Sequence, residues 1–213
     1  MNEAGITAGA RAWTKSAVLA AADRLASGGS DPSGDFLANP EFRDDIVALA
    51  QRPAAVLVGL IDRPDGLNLL LTKRHDDLRS HSGQVAFPGG KIDADDESAE
   101  AAALREAREE VGLDPSYARV IGRLPDYLTG SGYRIAPIVA LISPEAKFHA
   151  DPTEVDYFFE APLDFVLDPA NRKLGSRNWN GRRRFFYEIP YGRHYIWGVT
   201  AGMIVLLGNS LAK

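Results

Sequence analysis

The chain of 213 residues contains no cysteine, so disulfide bonds, cysteine-ligated zinc, iron–sulfur clusters and thiol nucleophiles are excluded. It also lacks long apolar runs. The longest are only a few residues, such as Met203–Leu207, whereas a membrane-spanning helix needs about 20 apolar residues. Nor does it carry excess positive charge, because 24 Lys and Arg stand against 29 Asp and Glu. A general nucleic-acid binder depends on basic side chains to neutralise phosphates. We therefore predict neither a membrane nor a nucleic-acid partner.

The composition that remains is that of a folded domain. Hydrophobic residues make up 45% of the chain and charged residues 25%, which excludes disordered and fibrous classes. The length favours one sizeable domain with an appended element. Met1–Ala10 contains Glu3 and has no apolar centre, so it does not resemble a signal peptide. We expect a cytoplasmic protein.

Local patterns predict helices and strands in alternation. Helices are predicted at Thr14–Ser27, Glu41–Ala50, Asp95–Val111 and Thr200–Leu211. Strands are predicted at Ala54–Ile61, Leu67–Thr72, Ala118–Ile121, Ile135–Leu141, Val155–Phe159 and Arg184–Ile189, the first two joined as a hairpin. This mixture is typical of α/β or α+β layers.

The third of these helices carries an acidic stripe. Glu106, Glu109 and Glu110 lie at i, i+3 and i+4, so they share one face. Like charges at this spacing repel, and Mg²⁺ or Mn²⁺ prefers carboxylate oxygens, so the stripe predicts a divalent-metal site. The alternative is a solvated acidic face supported by contacts of Arg105 with Glu109. The opposite face is expected to pack on the sheet through Leu104, Ala107 and Val111.

A glycine pair lies upstream of this helix, within Phe87–Lys91. Without a Cβ, Gly89 and Gly90 allow backbone groups to approach a metal or a phosphate closely. The glycine pair and the acidic helix together resemble the Nudix box, Gly-x5-Glu-x7-Arg-Glu-U-x-Glu-Glu-x-Gly-U, where U is a bulky aliphatic residue. Its second half corresponds to the segment from Arg105 to Leu113.

The sequence departs from this pattern in two places. Ala107 stands at the U position, and the first half is one residue longer than the pattern. Three acidic residues are open for the first glutamate of the box: Glu97, Asp96 and Asp93.

A second motif stands upstream of the box. Six residues separate Leu70–Thr72 from Arg79, three more precede Gly83, and another three precede Phe87–Gly90. This spacing is similar to the signature Leu-Leu-Thr-x6-Arg-x3-Gly-x3-Phe-Pro-Gly-Gly of the coenzyme A diphosphatase branch of the Nudix family. That branch commonly has an extended box of the type found at Gly89–Asp93. The resemblance covers about residues 50 to 210.

The resemblance implies a fold and an activity. The fold is a Nudix-type α/β/α sandwich with a mixed β-sheet, formed by residues 51–213, while residues 1–50 add N-terminal helices outside it. The activity is hydrolysis of the diphosphate of coenzyme A or its thioesters, which gives 3′,5′-ADP and 4′-phosphopantetheine or its acyl form. The cofactor is Mg²⁺ or Mn²⁺. A homodimer contact is one of the roles open to residues 1–50.

The resemblance also implies roles for individual residues. The metal is expected to bind Glu106, Glu109 and Glu110, with a backbone carbonyl of Gly89 or Gly90 assisting. Glu106 and Glu154 are the alternatives for the general base, and Arg105 is expected to orient a carboxylate by charge-assisted hydrogen bonds. The residues expected to contact the substrate are Arg79, Gly83 and Gly90.

Two other functions remain open on sequence alone. One is a Nudix hydrolase for another nucleoside diphosphate derivative, such as ADP-ribose or a dinucleotide. The other is a non-catalytic Nudix regulator, which we expect to have lost acidic positions that this chain keeps. Several further residues are interpreted as structural: Lys73 and Arg74 as surface charge, Arg182–Arg184 as a solvated turn, and Phe158, Phe159 and Trp197 as core.

Overall fold

The computed structural model of the chain describes residues 13–22, 25, 31–76, 83–179 and 181–212. Its α-helices are α1 (Lys15–Ala20), α2 (Arg43–Leu49), α3 (Ala99–Val111), α4 (Leu163–Leu167) and α5 (Gly198–Ala212). Its strands are β1 (Ser33–Gly34), β2 (Arg52–Arg63), β3 (Gly66–Arg74), β4 (Val85–Ala86), β5 (Gly89–Lys91), β6 (Ala118–Arg123), β7 (Tyr127–Leu128), β8 (Tyr133–Ile142), β9 (Val155–Pro162), β10 (Lys173–Trp179), β11 (Arg182–Tyr191) and β12 (His194–Trp197). Every predicted strand lies within one of these. The end of the helix predicted over Thr14–Ser27 falls partly outside the described residues.

The central layer is a mixed sheet of β1 to β9. Strands β2 and β3 form the predicted antiparallel hairpin. On its other side β2 runs parallel to β8, in continuous register from Arg52↔Tyr133 to Ile61↔Ile142. Strand β9 pairs antiparallel with β3, and β5 pairs antiparallel with the start of β2. The glycine pair in β5 is therefore held at the sheet itself.

Alternation along the strands separates two cores. In β2, Leu57 and Ile61 belong to the cluster that includes the buried face of α3, whereas Val58 and Leu60 belong to the cluster that includes α1 and α5. Because side chains alternate between the two faces of a strand, the sheet lies between these helices. This arrangement confirms the predicted α/β/α sandwich with a mixed sheet.

Helix α3 has clear start and stop signals. The Ser98 hydroxyl accepts a hydrogen bond from the Ala101 N–H at 3.1 Å, and Gly112 ends the helix in the left-handed conformation with φ of 65°. Ala107 and Val111 are fully buried. The small Ala107 at the U position packs against the sheet, and Glu106 of the acidic stripe lies against Gly90 of β5.

A second sheet, formed by β10, β11 and β12, was only partly expected. The sequence predicts the middle of β11 but neither of its partners. Strand β10 pairs antiparallel with β11 along its whole length and is largely exposed, so it lacks the alternation of apolar and polar residues that identifies a strand.

The described part of residues 31–50 packs against both sheets. Strand β1 pairs with β7 at the edge of the main sheet, and Phe36, Phe42 and Ile46 form a small core with Leu128. The buried Asn39 amide donates to the Phe185 carbonyl at 2.8 Å and accepts from the Phe185 N–H at 2.7 Å. The division of the chain at residue 50 stays a prediction. In the described residues no helix is both long and apolar enough to cross a membrane.

Replacing Asn39 by alanine is expected to lower the free energy of unfolding by about 2 kcal/mol, because both backbone groups of Phe185 lose their partner. Urea denaturation measures the change. The matched control is Asn178→Ala, an exposed asparagine in β10, which we expect to stay within about 0.5 kcal/mol of the wild type. An Asn39→Ala variant as stable as the control would contradict this anchoring role.

Candidate active site

The three glutamates of the acidic stripe share one face of α3 but differ in exposure. The exposed fraction of the side chain is 48% for Glu109, 15% for Glu106 and 1% for Glu110. The stripe therefore runs from solvent into the protein. A solvated acidic face would be exposed at all three positions, so this gradient favours a binding site.

Glu110 is a buried carboxylate with one unsatisfied oxygen. Its Oε1 accepts a hydrogen bond from Arg74 Nη1 at 3.1 Å, while its Oε2 is buried and has no hydrogen-bond partner among the described residues. Burial raises the pKa of Glu110 to about 8, and the nearby charges of Glu106 and Glu154 raise it further, while Arg74 and the backbone N–H of Gly89 oppose the rise. A group that supplies positive charge at Oε2 would remove this strain.

The interpretation of Arg74 as surface charge was wrong. Its side chain is 22% exposed, at the end of β3, and it pairs with the buried Glu110. The same interpretation of Lys73 was also wrong, because its side chain is 20% exposed and binds Asp76 at 2.8 Å and Asp156 at 3.1 Å. The two neighbouring basic residues thus bind different carboxylates, and the register of β3 with β9 shifts between them.

Arg105 connects the start of the box to the acidic stripe. Its guanidinium donates to both carboxylate oxygens of Asp96 at 2.9 Å, and its Nη1 donates to Glu106 at 2.9 Å and to Glu109 at 3.0 Å. The paired Arg105 lowers the pKa of Asp96 to about 2. Arg105 thus holds carboxylates in place, as proposed from the sequence. Among the three residues left open for the first box glutamate, Asp96 has the bidentate contact, whereas Glu97 is exposed.

Both glycines of β5 lie where a side chain would not fit. A Cβ at Gly90 would stand 2.6 Å from Cδ of Glu106, and a Cβ at Gly89 would stand 2.6 Å from Cα of Val56. The first contact places the Glu106 carboxylate directly against the β5 backbone. Burial raises the pKa of Glu106, with Arg105 opposing the rise.

Glu154 comes from a distant part of the chain to the same place. It precedes β9, and its carbonyl accepts a hydrogen bond from the His75 N–H at 2.9 Å. Its charge raises the pKa of both Glu106 and Glu110, so the three carboxylates are close enough to interact. Its role as a base stays a prediction.

The two upstream signature residues have different outcomes. Arg79 lies outside the described residues. Gly83 adopts φ of +65°, a left-handed conformation that favours glycine, and a Cβ there would collide with the Asp76 carboxylate, so its glycine is explained by the turn. Gly83 does not line the cavity described next, whereas its neighbour Gln84 does. Contact of either signature residue with substrate stays a prediction.

A cavity of about 510 Å³ opens from the glycine pair. One end is lined by Gly89, Gly90 and Arg74, and the other by the second sheet and the segment around Phe42.

Two interpretations made from the sequence, of Trp197 as core and of Arg184 as part of a solvated turn, are corrected by this cavity. Trp197 is half-buried and lines the cavity, and Arg184 does so as well, whereas Arg182 and Arg183 are exposed. Of the three arginines, Arg184 alone is brought to the cavity, by the pairing of β10 with β11, which the sequence of the run does not reveal.

The chemistry of the site fits a divalent cation. Glu106, Glu109, Glu110 and Glu154 supply hard oxygen donors, and the unsatisfied Oε2 of Glu110 is a ligand atom without a partner. Within the described ranges, no three acidic or histidine side chains converge on a ready-made metal position. The pKa values of Glu106 and Glu110 rise through burial and through the charges of neighbouring carboxylates, and a cation would stabilise the charged forms of both.

Fold and site together define an α/β/α protein with an acidic helix set against a glycine-rich strand at the end of a cavity. The NUDIX domain family model matches residues 50–179, and the chain belongs to the Nudix hydrolase family. It is 43% identical over 157 residues to the Nudix hydrolase NudL of Cronobacter sakazakii, covering 74% of this chain and 81% of that protein.

Two further proteins are similar to this chain. The chain is 35% identical over 189 residues to Nudix hydrolase 15, mitochondrial, of Arabidopsis thaliana, covering 82% of this chain and 66% of that protein. Among solved structures, the Nudix hydrolase RenU of M. smegmatis matches with a TM-score of 0.43 and 24% identity, covering 54% of this chain and 73% of that one.

Proposed function

We propose that this Nudix hydrolase cleaves the diphosphate of coenzyme A or its thioesters, giving 3′,5′-ADP and 4′-phosphopantetheine or its acyl form. The observation that carries the proposal is the cavity that opens from the Gly89–Gly90 edge, where the Glu106 carboxylate stands against Gly90. A diphosphate at this edge would leave the cavity for the nucleotide end of a long substrate. The spacing of Leu70–Thr72, Arg79 and Gly83 supports coenzyme A as the substrate.

Glu106, Glu109 and Glu110 would hold Mg²⁺ or Mn²⁺, assisted by a backbone carbonyl of Gly89 or Gly90. Nudix hydrolases generally use divalent metals. When bound, the cation neutralises diphosphate charge and acidifies water. Arg105 fixes the Glu106 and Glu109 carboxylates in the required orientation through its hydrogen bonds to them.

The reaction consumes one water molecule. Its oxygen bonds to one phosphorus, and the bond from that phosphorus to the bridging oxygen breaks. A carboxylate near the reacting phosphorus takes the proton from the water, and Glu106 and Glu154 are the two candidates for this general base. Because burial raises the pKa of Glu106, this carboxylate is more basic than an ordinary glutamate, which suits the role of general base.

Product analysis by chromatography and mass spectrometry tests the substrate. The purified protein is incubated with coenzyme A, acetyl-coenzyme A, ADP-ribose or diadenosine polyphosphates, with Mg²⁺ or Mn²⁺ and with a chelator as control. We expect metal-dependent release of 3′,5′-ADP from the two coenzyme A compounds. Turnover of ADP-ribose or dinucleotides alone would retain the Nudix chemistry and overturn the assignment of coenzyme A as the substrate.

The cytoplasmic location and a homodimer contact remain predictions.

Replacing Gly90 by alanine is expected to lower kcat by about 100-fold, because the new methyl group displaces the Glu106 carboxylate from β5. Steady-state kinetics with coenzyme A measures the effect, and circular dichroism checks the fold. Gly208→Ala in α5 is the matched control, since its Cβ would meet only Leu167 at 3.4 Å. Equal kcat in the two variants would show that the approach of Glu106 to Gly90 is not needed.

A further inference from the structure

The cavity contains two arginines from the second sheet whose charges face each other. Arg177 of β10 and Arg184 of β11 are directly opposite in the antiparallel register, so their side chains lie on the same face. Both line the cavity, Arg177 exposed at its mouth and Arg184 half-buried. Like charges in this position repel and destabilise a strand pair. An anion between them would reverse that effect.

Arg184 also has an unused donor. Its Nε is buried and has no hydrogen-bond partner among the described residues. Among the described residues, no carboxylate lies within the ion-pair distance of 4.0 Å from Arg177 or Arg184. The charge of Arg184 does act on Asp35, but the Asp35 oxygens accept from the Tyr127 hydroxyl at 3.1 Å and the Gly130 N–H at 2.8 Å.

An aromatic surface adjoins the arginine pair. The guanidinium of Arg177 lies 5.3 Å from the centre of the Trp197 ring, which also packs against Phe186 at 5.3 Å. Trp197 and Phe186 both line the cavity. Guanidinium groups match the oxygens of a phosphate, and an indole suits the face of a nucleobase. The two features together fit a nucleoside that carries a phosphate monoester.

We propose that Arg177 and Arg184 bind the phosphate monoester on the ribose of the nucleotide substrate, with its base against Trp197. This subsite rests on the proposed function, in which the substrate is coenzyme A with its 3′-phosphate. It makes the second sheet the element that selects the substrate. The carboxylates of α3 serve the diphosphate at the other end of the cavity.

The experiment compares kcat/KM for coenzyme A and for dephospho-coenzyme A, which lacks the 3′-phosphate. Wild-type protein is expected to prefer coenzyme A, and both Arg184→Gln and Arg177→Gln are expected to lower the ratio about 10-fold to 100-fold. Arg183→Gln is the matched control: this exposed residue on β11 faces away from the pair, binds Ser176 at 3.0 Å and should keep the wild-type ratio. A lower fraction of folded enzyme affects kcat/KM for both compounds equally, so it cancels in the ratio.

The outcomes separate the subsite from the function on which it rests. If wild-type protein hydrolyses coenzyme A and the ratio stays unchanged in both variants, the subsite is wrong and the function stands. If wild-type protein hydrolyses neither compound, the function fails, and calorimetric titration with adenosine 3′,5′-bisphosphate and with AMP tests the subsite alone. Tighter binding of the bisphosphate that is lost in Arg184→Gln supports it, and equal binding of the two nucleotides overturns it.

Discussion

Replacing Glu110 by glutamine is expected to lower kcat for coenzyme A about 1000-fold, the loss typical of removing one strong electrostatic stabiliser from an active site. Gln keeps the shape of Glu110 and can still accept the hydrogen bond from Arg74. What it removes is the negative charge next to Glu106 and Glu154. The loss of kcat therefore measures the contribution of the Glu110 charge to catalysis and metal binding, without a change in packing.

Kinetics over a range of Mg²⁺ concentrations provides the measurement. A metal-ligand role predicts that the remaining activity needs more Mg²⁺ for half-saturation. Glu145→Gln makes the same chemical change at an exposed position after β8, and it should behave as wild type. Full activity of Glu110→Gln at wild-type Mg²⁺ concentrations would show that Glu110 is not a metal ligand.

The sequence predicts this helix well because its information is local. The spacing of Glu106, Glu109 and Glu110 places them on one face through helix geometry alone, and the Ser98 and Gly112 caps lie next to the helix they end. The hairpin of β2 and β3 is equally local. Such features need only the periodicity and turn residues of a short segment.

The features that the sequence does not reveal depend on contacts between distant segments. Arg74 meets Glu110 across 36 positions, and Asn39 meets Phe185 across 146. Arg177 and Arg184 face each other only because β10 pairs with β11, and β10 has no strand-like alternation. The spacing of residues therefore locates the chemistry on α3, whereas the walls of the cavity follow from the tertiary fold.

The buried charge of Glu110 also predicts how stability depends on pH. An unfolded chain releases this proton near the ordinary pKa of 4.5, whereas burial holds it in the folded protein until pH about 8. Between these values the folded state binds more protons, so the metal-free protein loses stability as pH rises through this window and stays less stable above it. The substitution Glu110→Gln removes this loss of stability. At pH 8.5 in chelator, the variant should be more stable than wild type by an amount on the order of 2 kcal/mol.

Thermal unfolding at pH 4.5 and pH 8.5 measures this linkage, with a shift of about 4–8 °C expected at the higher pH for a chain of this length. The two proteins should have similar Tm values at pH 4.5, where the carboxyl of Glu110 is protonated in the folded state. Added Mg²⁺ should raise the Tm of wild type at pH 8.5 and leave that of Glu110→Gln almost unchanged, because a cation at Oε2 stabilises the charged form. Equal Tm values in chelator at pH 8.5 would show that the burial of Glu110 does not strain the protein. If the variant is instead more stable than wild type in chelator, its higher stability and its inactivity have one cause, the loss of a buried charge whose Oε2 a cation would balance.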